Sequence, residues 1–216
     1  MRGIEIIKDD FKIHTGDDLG LIQEVKEIGN PTTQSYLVEV PGRNGLVNLT
    51  KGLTGNVTYS NRSLKFQYLA SGAYNEVEET IDLFNSLHGE TFKIIDDDTP
   101  EYYYEGEATV KVTHKGILTT ITLELNANPF RERLELTNIS TTLTTADKTL
   151  VVNNYGVVVQ PTIIIDNTAK IVYKDNTYTL SAGTYKISDV ELKTGYNSFV
   201  VSGSGNLTIQ YREAKI

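Results

Sequence analysis

The feature that most constrains this chain is an alternating segment, residues 35–40, that runs into the dipeptide Pro41-Gly42 and out into residues 45–50. Proline at the second position of a turn fixes φ near the value that a type II turn needs. Glycine at the third position supplies the positive φ without a steric cost. We therefore predict a strand, a type II turn and a second short strand.

Alternation with period two continues to residue 70 and predicts half-buried strands. The spacing changes only between Tyr74 and His88, where apolar residues recur at helical intervals, acidic residues occupy the first turns and Gly89 follows as a C-cap. This is the one helix that we predict. In each predicted element, one group of side chains lies on the same face. These groups are Tyr36, Val38 and Val40 in one strand, Leu64, Phe66 and Tyr68 in another, and Val77, Ile81, Phe84 and His88 in the helix.

Residues 91–95 form the next predicted strand, and residues 108–114 and 117–125 read as an antiparallel hairpin that turns at Lys115-Gly116. Residues 126–133 break the alternation with a proline and several charges. A polar, Thr-rich stretch, residues 137–148, follows the break. We expect a domain boundary here, with domains at residues 1–133 and 134–216.

The second predicted domain carries short strands between residues 157 and 211, separated by regular turn signals and without a helical segment. Seven such strands are typical of a small β-sandwich. Two of them, residues 197–201 and 206–211, are divided by Gly203-Ser-Gly205. The predicted fold class is therefore mainly β, with two β domains and one helix in the first.

Charge and composition exclude several classes of protein. The chain has no cysteine and therefore no disulfide framework or thiolate metal site. Residues 1–133 hold 13 Lys and Arg against 21 Asp and Glu, whereas residues 134–216 hold 7 of each. A net charge of −8 argues against nucleic-acid binding through a basic surface. The apolar runs are far shorter than the roughly 20 residues of a membrane span, and no signal peptide is expected.

Motifs for catalysis or metal binding are weak. The run Asp96-Asp97-Asp98 suggests calcium, but its spacing lacks the alternate ligands, the glycine and the distal glutamate of a calcium loop. His14, His88 and His114 are far apart in sequence. No nucleophile elbow, phosphate-binding loop or dinucleotide fingerprint occurs. We expect no catalytic residues, no metal, no cofactor and no enzymatic activity, although paired carboxylates of a glycosidase are not excluded by sequence.

Several segments resemble a known family in order and spacing. These are Leu19-Gly20-Leu21, the Pro41-Gly42 region, residues 55–59 and residues 62–66, together with the closing phrase of residues 195–212. They resemble the distal tail proteins (Dit) of long-tailed, siphovirus-type phages that infect Gram-positive hosts. The resemblance covers both predicted domains. It implies an N-terminal ring-forming, tail-tube-like domain and a C-terminal galectin-like β-sandwich.

The resemblance implies a structural virion protein at the tail tip or baseplate, made in the cytoplasm of the bacterial host. Such a protein forms a homo-oligomeric ring, a homohexamer in the family, and joins the tail tube to the host-adsorption device. The expected partners are further copies of the chain, the tail-tube protein, the tail-tip hub (tail-associated lysin or fibre) protein, and receptor-binding or baseplate proteins. DNA would pass through the ring without specific binding, and no membrane is involved.

Two groups of residues are candidates for ring function. The turn region from Pro41 to Asn56 is a candidate arm that clasps a neighbouring subunit, and alternate tyrosines of Tyr102-Tyr103-Tyr104 could pack at an interface or simply in the core. An acidic lumen would repel DNA phosphates, whereas the alternative is a solubilising acidic face. The ring-interface candidates are Pro41, Gly42, Arg43, Asn44, Gly45, Tyr102 and Tyr104, and the lumen candidates are Asp96, Asp97, Asp98, Glu101, Glu105 and Glu107.

A carbohydrate-binding module that acts in host-surface recognition is the alternative function. The absence of tryptophan weakens it, because aromatic rings commonly stack on sugars. Tyr173, Tyr178 and Tyr196 of the predicted sandwich could substitute.

Overall fold

The computed structural model describes residues 2–216, apart from the side chains of Lys51 and Thr54. The chain divides into two compact units, residues 1–131 and residues 132–216. Each unit is mainly β and has its own hydrophobic core.

The N-terminal unit is built on an antiparallel sheet in which seven strands follow one another in the order β2-β1-β9-β10-β11-β8-β3. In chain order its elements are β1 (Ile4–Lys8), β2 (Phe11–His14), β3 (Ile22–Ile28), β4 (Thr33–Gln34), β5 (Leu37–Val38), β6 (Val47–Asn48), α1 (Leu49–Thr54), β7 (Thr58–Tyr59), β8 (Arg62–Ser71), α2 (Tyr74–Ser86), β9 (Thr91–Asp96), β10 (Tyr102–Lys115) and β11 (Leu118–Ala127).

The sheet curls around its apolar face. Alternate residues of the long strands point inward, so Leu64, Phe66 and Tyr68 of β8 are fully buried, as their spacing predicts. The ammonium of Lys26 on edge strand β3 lies 2.5 Å from a carboxylate oxygen of Asp96 on β9. Because three strands separate β3 from β9 in the sheet order, this contact requires strong curvature.

Helix α2 packs on the core as its spacing predicts, through buried Val77, Ile81 and Phe84. Glu76 supports its first turn by accepting a hydrogen bond from the backbone N–H of Ala73 at 2.8 Å. The helix ends at Ser86, Leu87 takes the next buried place, and His88 is exposed.

The predicted hairpin of residues 108–125 is confirmed as the pairing of β10 with β11, with Lys115 opposite Leu118 across the turn. Two features of this unit were not predicted. Helix α1 is a second, six-residue helix, and it lies where the sequence suggested only a turn. Strands β1, β2 and β3 lie before residue 35, where the strands predicted from the sequence begin.

The C-terminal unit is a two-layer β-sandwich. One layer contains β13, β15, β18 and the end of β19, while the other contains β14, β16, β17 and the beginning of β19. After β12 (Arg131–Arg133) the elements are β13 (Thr137–Leu143), β14 (Lys148–Asn154), β15 (Thr162–Ile165), β16 (Thr168–Tyr173), β17 (Asn176–Leu180), β18 (Gly183–Tyr185), β19 (Gly195–Tyr211) and β20 (Ala214–Lys215).

Strand β19 corrects the prediction of two separate strands at residues 197–201 and 206–211. It is continuous over 17 residues and passes from one layer to the other at Gly203 and Gly205. A Cβ at Gly203 would lie 2.2 Å from the carbonyl oxygen of Thr168, and Gly205 has a φ of +82°. The glycines therefore permit a close approach and a bend rather than ending the strand.

Two further segments of this unit differ from the sequence analysis. The polar, Thr-rich residues 137–148, to which no strand was assigned, contain β13 and the start of β14, with Thr141 and Leu143 facing inward. Threonine is β-branched and suits a pleated, half-buried strand. Residues 157–159 were predicted as a strand but contribute only an isolated bridge between Val159 and Leu192.

Candidate self-association surface

Residues 33–59 form a small substructure between β3 and β8. It contains the turn region of residues 41–56, and from here on we call the whole of residues 33–59 the arm. Strands β5 and β6 pair as a hairpin, with Leu37 opposite Asn48. The backbone N–H of Arg43 donates to the carbonyl of Val40 at 3.1 Å, and Gly42 has a φ of +81°. These two observations confirm the predicted type II turn.

The base of the arm is tied to the main sheet by several contacts. Strands β4 and β7 pair with each other, and the hydroxyls of Thr32 and Ser60 lie 2.6 Å apart just outside them. The ring of Tyr59 packs edge-on against Phe130, with ring centroids 5.4 Å apart. The arm therefore leaves the sheet from a defined position.

Arg62 anchors this base and is only 4% exposed. Its Nε donates to the carbonyl of Gly29 at 2.7 Å, and its guanidinium carbon lies 5.2 Å from the ring centroid of Tyr104. Nη1 donates to the carbonyl of Pro129 at 3.4 Å. Burial lowers the pKa of this guanidinium, partly offset by Tyr104. The buried cation thus joins the strand before the arm, the strand after it and β10.

The arm exposes large apolar side chains. The half-buried face predicted for Tyr36, Val38 and Val40 is wrong at two of its three residues. Val38 of β5 is half-buried, but Tyr36 is 68% exposed and Val40 is 40% exposed. Leu53 on α1 is 86% exposed. Clustered apolar exposure of this kind marks interaction surfaces in soluble proteins. The exposed apolar residues of the arm are Tyr36, Leu37, Val40, Leu46, Leu53 and Val57.

The interface candidates from the sequence divide into two sets. Residues 41–45 (Pro41, Gly42, Arg43, Asn44 and Gly45) are all exposed on the loop between β5 and β6. Tyr102 and Tyr104 are only 8% and 3% exposed, so neither side chain presents a free surface. Their rings instead lie beneath the guanidinium groups of Arg131 and Arg62, respectively. Tyr104 therefore supports the base of the arm from inside the unit, through its contact with Arg62.

The acidic run at the end of β9 is paired rather than freely solvated. Asp96 is 2% exposed and binds Lys26, whose ammonium also lies 2.6 Å from Asp98. Asp97 accepts the backbone N–H of Gly3 at 2.8 Å and lies 3.1 Å from Nε2 of His14. Lys26 therefore compensates part of the negative charge that the sequence suggested for a lumen.

The pKa values of this cluster follow from its contacts. Burial alone would lower the pKa of Lys26, but hydrogen bonds and charges from Asp96 and Asp98 outweigh it and raise the pKa. The hydrogen bond from Lys26, with the charges of Lys26 and Arg2, lowers the pKa of Asp98. Both groups are therefore held in their charged forms.

The remaining lumen candidates are separate from this cluster. Glu101 is exposed in the turn before β10. Glu105 is half-buried and Glu107 is exposed, and both lie on the face of β10 opposite buried Tyr104 and Ala108. Lys93 is the register partner of Glu105, so this face carries charges of both signs.

Within residues 2–216, no group of three or more His, Cys, Asp or Glu side chains is arranged to hold a metal ion. The described helices also include none that is long and apolar enough to cross a membrane.

The likeness of this chain to known proteins comes from solved structures. No protein-family model and no curated protein matches the chain. Among solved structures, the Dit protein of phage SPP1 matches with a TM-score of 0.66 and 16% sequence identity, over 100% of both chains. The chain has the fold of a phage distal tail protein. That SPP1 protein is described as a paradigm of the hub of the adsorption apparatus in phages that infect Gram-positive hosts.

Within this distal tail fold, sequence reasoning identified the tip of the arm but missed its anchor. Arg62 and Lys26 are single cations in amphipathic strands, and their partners are distant in sequence. Lys26 and Asp96 are 70 residues apart, and Arg62 and Pro129 are 67 residues apart. A local signal existed only for Arg62, whose neighbours on the same strand face are the apolar residues Leu64 and Phe66.

Proposed function

We propose that the chain is a distal tail protein: a structural component of a phage tail tip that assembles into a ring hub. The observation that carries the proposal is the likeness to SPP1 Dit over the full length of both chains. The hub would join the tail tube to the host-adsorption device and leave a channel for DNA. It would act as a virion component without enzymatic activity.

Self-association through the N-terminal unit is supported by the arm. A ring repeats one contact by rotation, so each subunit must present a surface that a neighbour can cover. The arm supplies such a surface, because its apolar residues are exposed while Arg62 and Tyr59 fix its base. We propose that residues 1–133 form the ring, a hexamer by analogy with the family, and that residues 134–216, the galectin-like sandwich, project toward other proteins.

The proposed partners follow from a hub position. One face of the ring would bind the tail-tube protein, and the other would bind the tail-tip hub protein. The sandwiches would contact receptor-binding or baseplate proteins. These assignments rest on the proposed function.

Light scattering tests the proposal on the purified full chain. We expect the mass per particle to rise with concentration toward a closed oligomer. A variant with Leu46→Ser and Leu53→Ser should stay monomeric, because it removes two strongly exposed apolar residues of the arm. Val151→Ser, a similarly exposed position on the sandwich, is the matched control and should assemble normally. A strictly monomeric wild-type chain at high concentration would contradict self-association.

We also propose that Glu101, Glu105 and Glu107 face the channel. Asp96, Asp97 and Asp98 remain candidates by position, but their pairing with Lys26, Gly3 and His14 leaves less free charge.

Lysine at the three glutamates should slow DNA ejection at low salt, since a basic wall attracts phosphates. High salt should reduce the slowing, because it screens that attraction. Asp175→Lys with Asp189→Lys on the sandwich is the control, and ejection at the normal rate by the glutamate variant would contradict a lumen position.

A carbohydrate-binding role for the sandwich is a second candidate. Tyr173 is buried and hydrogen-bonded, so it is unsuited to stacking on a sugar. However, Tyr196 is 84% exposed and Tyr155 is 70% exposed, and Asn153 is the register partner of Tyr196 and donates to the hydroxyl of Tyr155. A glycan array with wild type and Tyr196→Ala tests this role. Binding that the substitution abolishes would support it, and no binding would exclude the glycans tested.

A further inference from the structure

A second exposed apolar surface lies on the main sheet of the N-terminal unit. We call it the end patch. Ile22, half-buried Leu69 and Leu118 lie on strands β3, β8 and β11, and Ile117 lies in the turn directly before β11. Ile22 is the register partner of Leu69, and Leu118 is the partner of Ser71, two residues further along β8. Ile22, Ile117 and Leu118 are 58%, 70% and 46% exposed. The end patch comprises Ile22, Leu69, Ile117 and Leu118.

The end patch and the arm lie at opposite ends of the same sheet. The arm leaves the sheet at Ile28 and returns at Arg62, whereas the end patch adjoins the far end of β8 at Ser71. A strand rises about 3.3 Å per residue, so these two ends of β8 are about 30 Å apart. The solvent face between them is polar, with Lys65 paired to Glu124 and Gln67 donating to Glu24.

Two different apolar surfaces at opposite ends of one body are the geometry of a head-to-tail contact. A two-fold contact uses the same surface on both copies and would leave the other surface exposed to water. A head-to-tail contact covers both surfaces, and it closes into a ring when the rotation permits. The apolar area that each copy exposes is then covered at both ends.

Charge at the two surfaces is compatible with this pairing. Arg43 is exposed on the loop of the arm, next to the turn at Pro41-Gly42. Glu24 is exposed at the bulge of β3, and it accepts a hydrogen bond from Gln67, two residues from Leu69 of the end patch. A cation on one surface and an anion at the rim of the other favour their encounter.

We infer that the arm of one copy packs on the end patch of the next copy, with Leu46 and Leu53 against Ile117 and Leu118. The occupant of the end patch is therefore a second copy of this chain. This inference rests on the proposed function and adds to it the surface that receives the arm.

Cross-linking tests the inference directly, because the chain contains no cysteine and single engineered thiols are unambiguous. Leu53→Cys and Leu118→Cys chains are mixed in equal amounts under conditions where the wild type assembles, and are treated with a short bis-maleimide. We expect heterodimers that join position 53 to position 118, identified by mass spectrometry of the linked peptides. Leu53→Cys mixed with Val151→Cys is the control and should give no such product.

The outcomes separate this inference from the proposed function. Homodimers linked between two copies of position 53, or assembly that survives Leu118→Ser with Ile117→Ser, would overturn arm-to-patch packing while leaving ring formation in place. Assembly without any link between positions 53 and 118 would also overturn it. A wild-type chain that never assembles would overturn both proposals.

Discussion

At the scale of single residues, two cations organise the N-terminal unit. Lys26 joins an edge strand to the acidic end of β9, and Arg62 fixes the base of the arm. Both side chains are mostly buried, and each is surrounded by acceptors: carboxylates for Lys26 and carbonyls for Arg62. Removing one partner of such a contact leaves a charge or a polar group that water reaches poorly, which is costly.

Asp96→Asn should destabilise the N-terminal unit by about 1–3 kcal/mol, because Lys26 would lose the partner that is most buried and keep only Asp98. Chemical denaturation measures this loss. Glu101→Gln, at an exposed turn position, is the matched control and should change the free energy of unfolding by less than about 0.5 kcal/mol. Equal stability of the two variants would contradict a structural role for the Lys26–Asp96 pair.

The same cluster sets a direction for pH dependence. Asp98 has a pKa below its ordinary value of 3.8, so it stabilises the fold above that pH, and the contribution is lost as the pH falls through the lowered pKa. Lys26 has a pKa above 10.5, so its contribution is complete below that pH and is lost as the pH rises through the raised pKa. Asp98→Asn should therefore weaken the acid dependence of unfolding below pH 3.8. If the free energy of unfolding of Asp98→Asn falls with acid pH as it does in the wild type, the role given to Asp98 is contradicted.

At the scale of elements, the arm projects from the sheet and is held at its base by contacts of Arg62 and Tyr59. Arg62→Met should leave β8 in place but free the carbonyls of Gly29 and Pro129, loosening the base of the arm. We expect faster amide hydrogen exchange in residues 31–61 than in the wild type, with little change in the hairpin of β10 and β11. Lys65→Met, on the exposed face of the same strand, is the control. Uniform acceleration across the unit would indicate global destabilisation instead.

The sequence predicted elements with strong local signals. The type II turn, the α2 stripe of Val77, Ile81 and Phe84, and the β10–β11 hairpin depend on residues close in the chain, and each is confirmed. Features that depend on tertiary context were not predictable in this way. The alternating pattern of residues 36–40 predicted burial, but Tyr36 and Val40 are exposed. The glycines at residues 203 and 205 suggested the end of a strand, but β19 continues through them.

Site residues followed the same rule. The exposed loop at residues 41–45 has a local turn signal and was identified from the sequence. Burial of Asp96 depends on Lys26, which is 70 residues away, so an acidic run in the sequence could not be distinguished from a paired cluster. Similarly, Tyr102 and Tyr104 are covered by arginines that the chain brings from residues 131 and 62.

At the scale of the whole molecule, the two units are expected to fold independently. A fragment of residues 132–216 keeps the contacts that hold its ends together. Arg133 donates its backbone N–H to the carbonyl of Glu213 at 2.8 Å, and Arg212 donates to the carbonyl of Leu134 at 2.5 Å. We expect cooperative thermal unfolding of this fragment and a monomeric mass. A fragment without a cooperative transition would contradict an independent sandwich.

The central claim is that the N-terminal unit builds a ring around a channel. Electron cryomicroscopy of the assembled full chain tests it most directly, because it reveals symmetry, channel and subunit contacts in one measurement. The account predicts a closed ring with a central channel bordered by the N-terminal units, with each arm on the neighbouring subunit. Particles that are two-fold dimers without a channel, or single chains at every concentration, would contradict it.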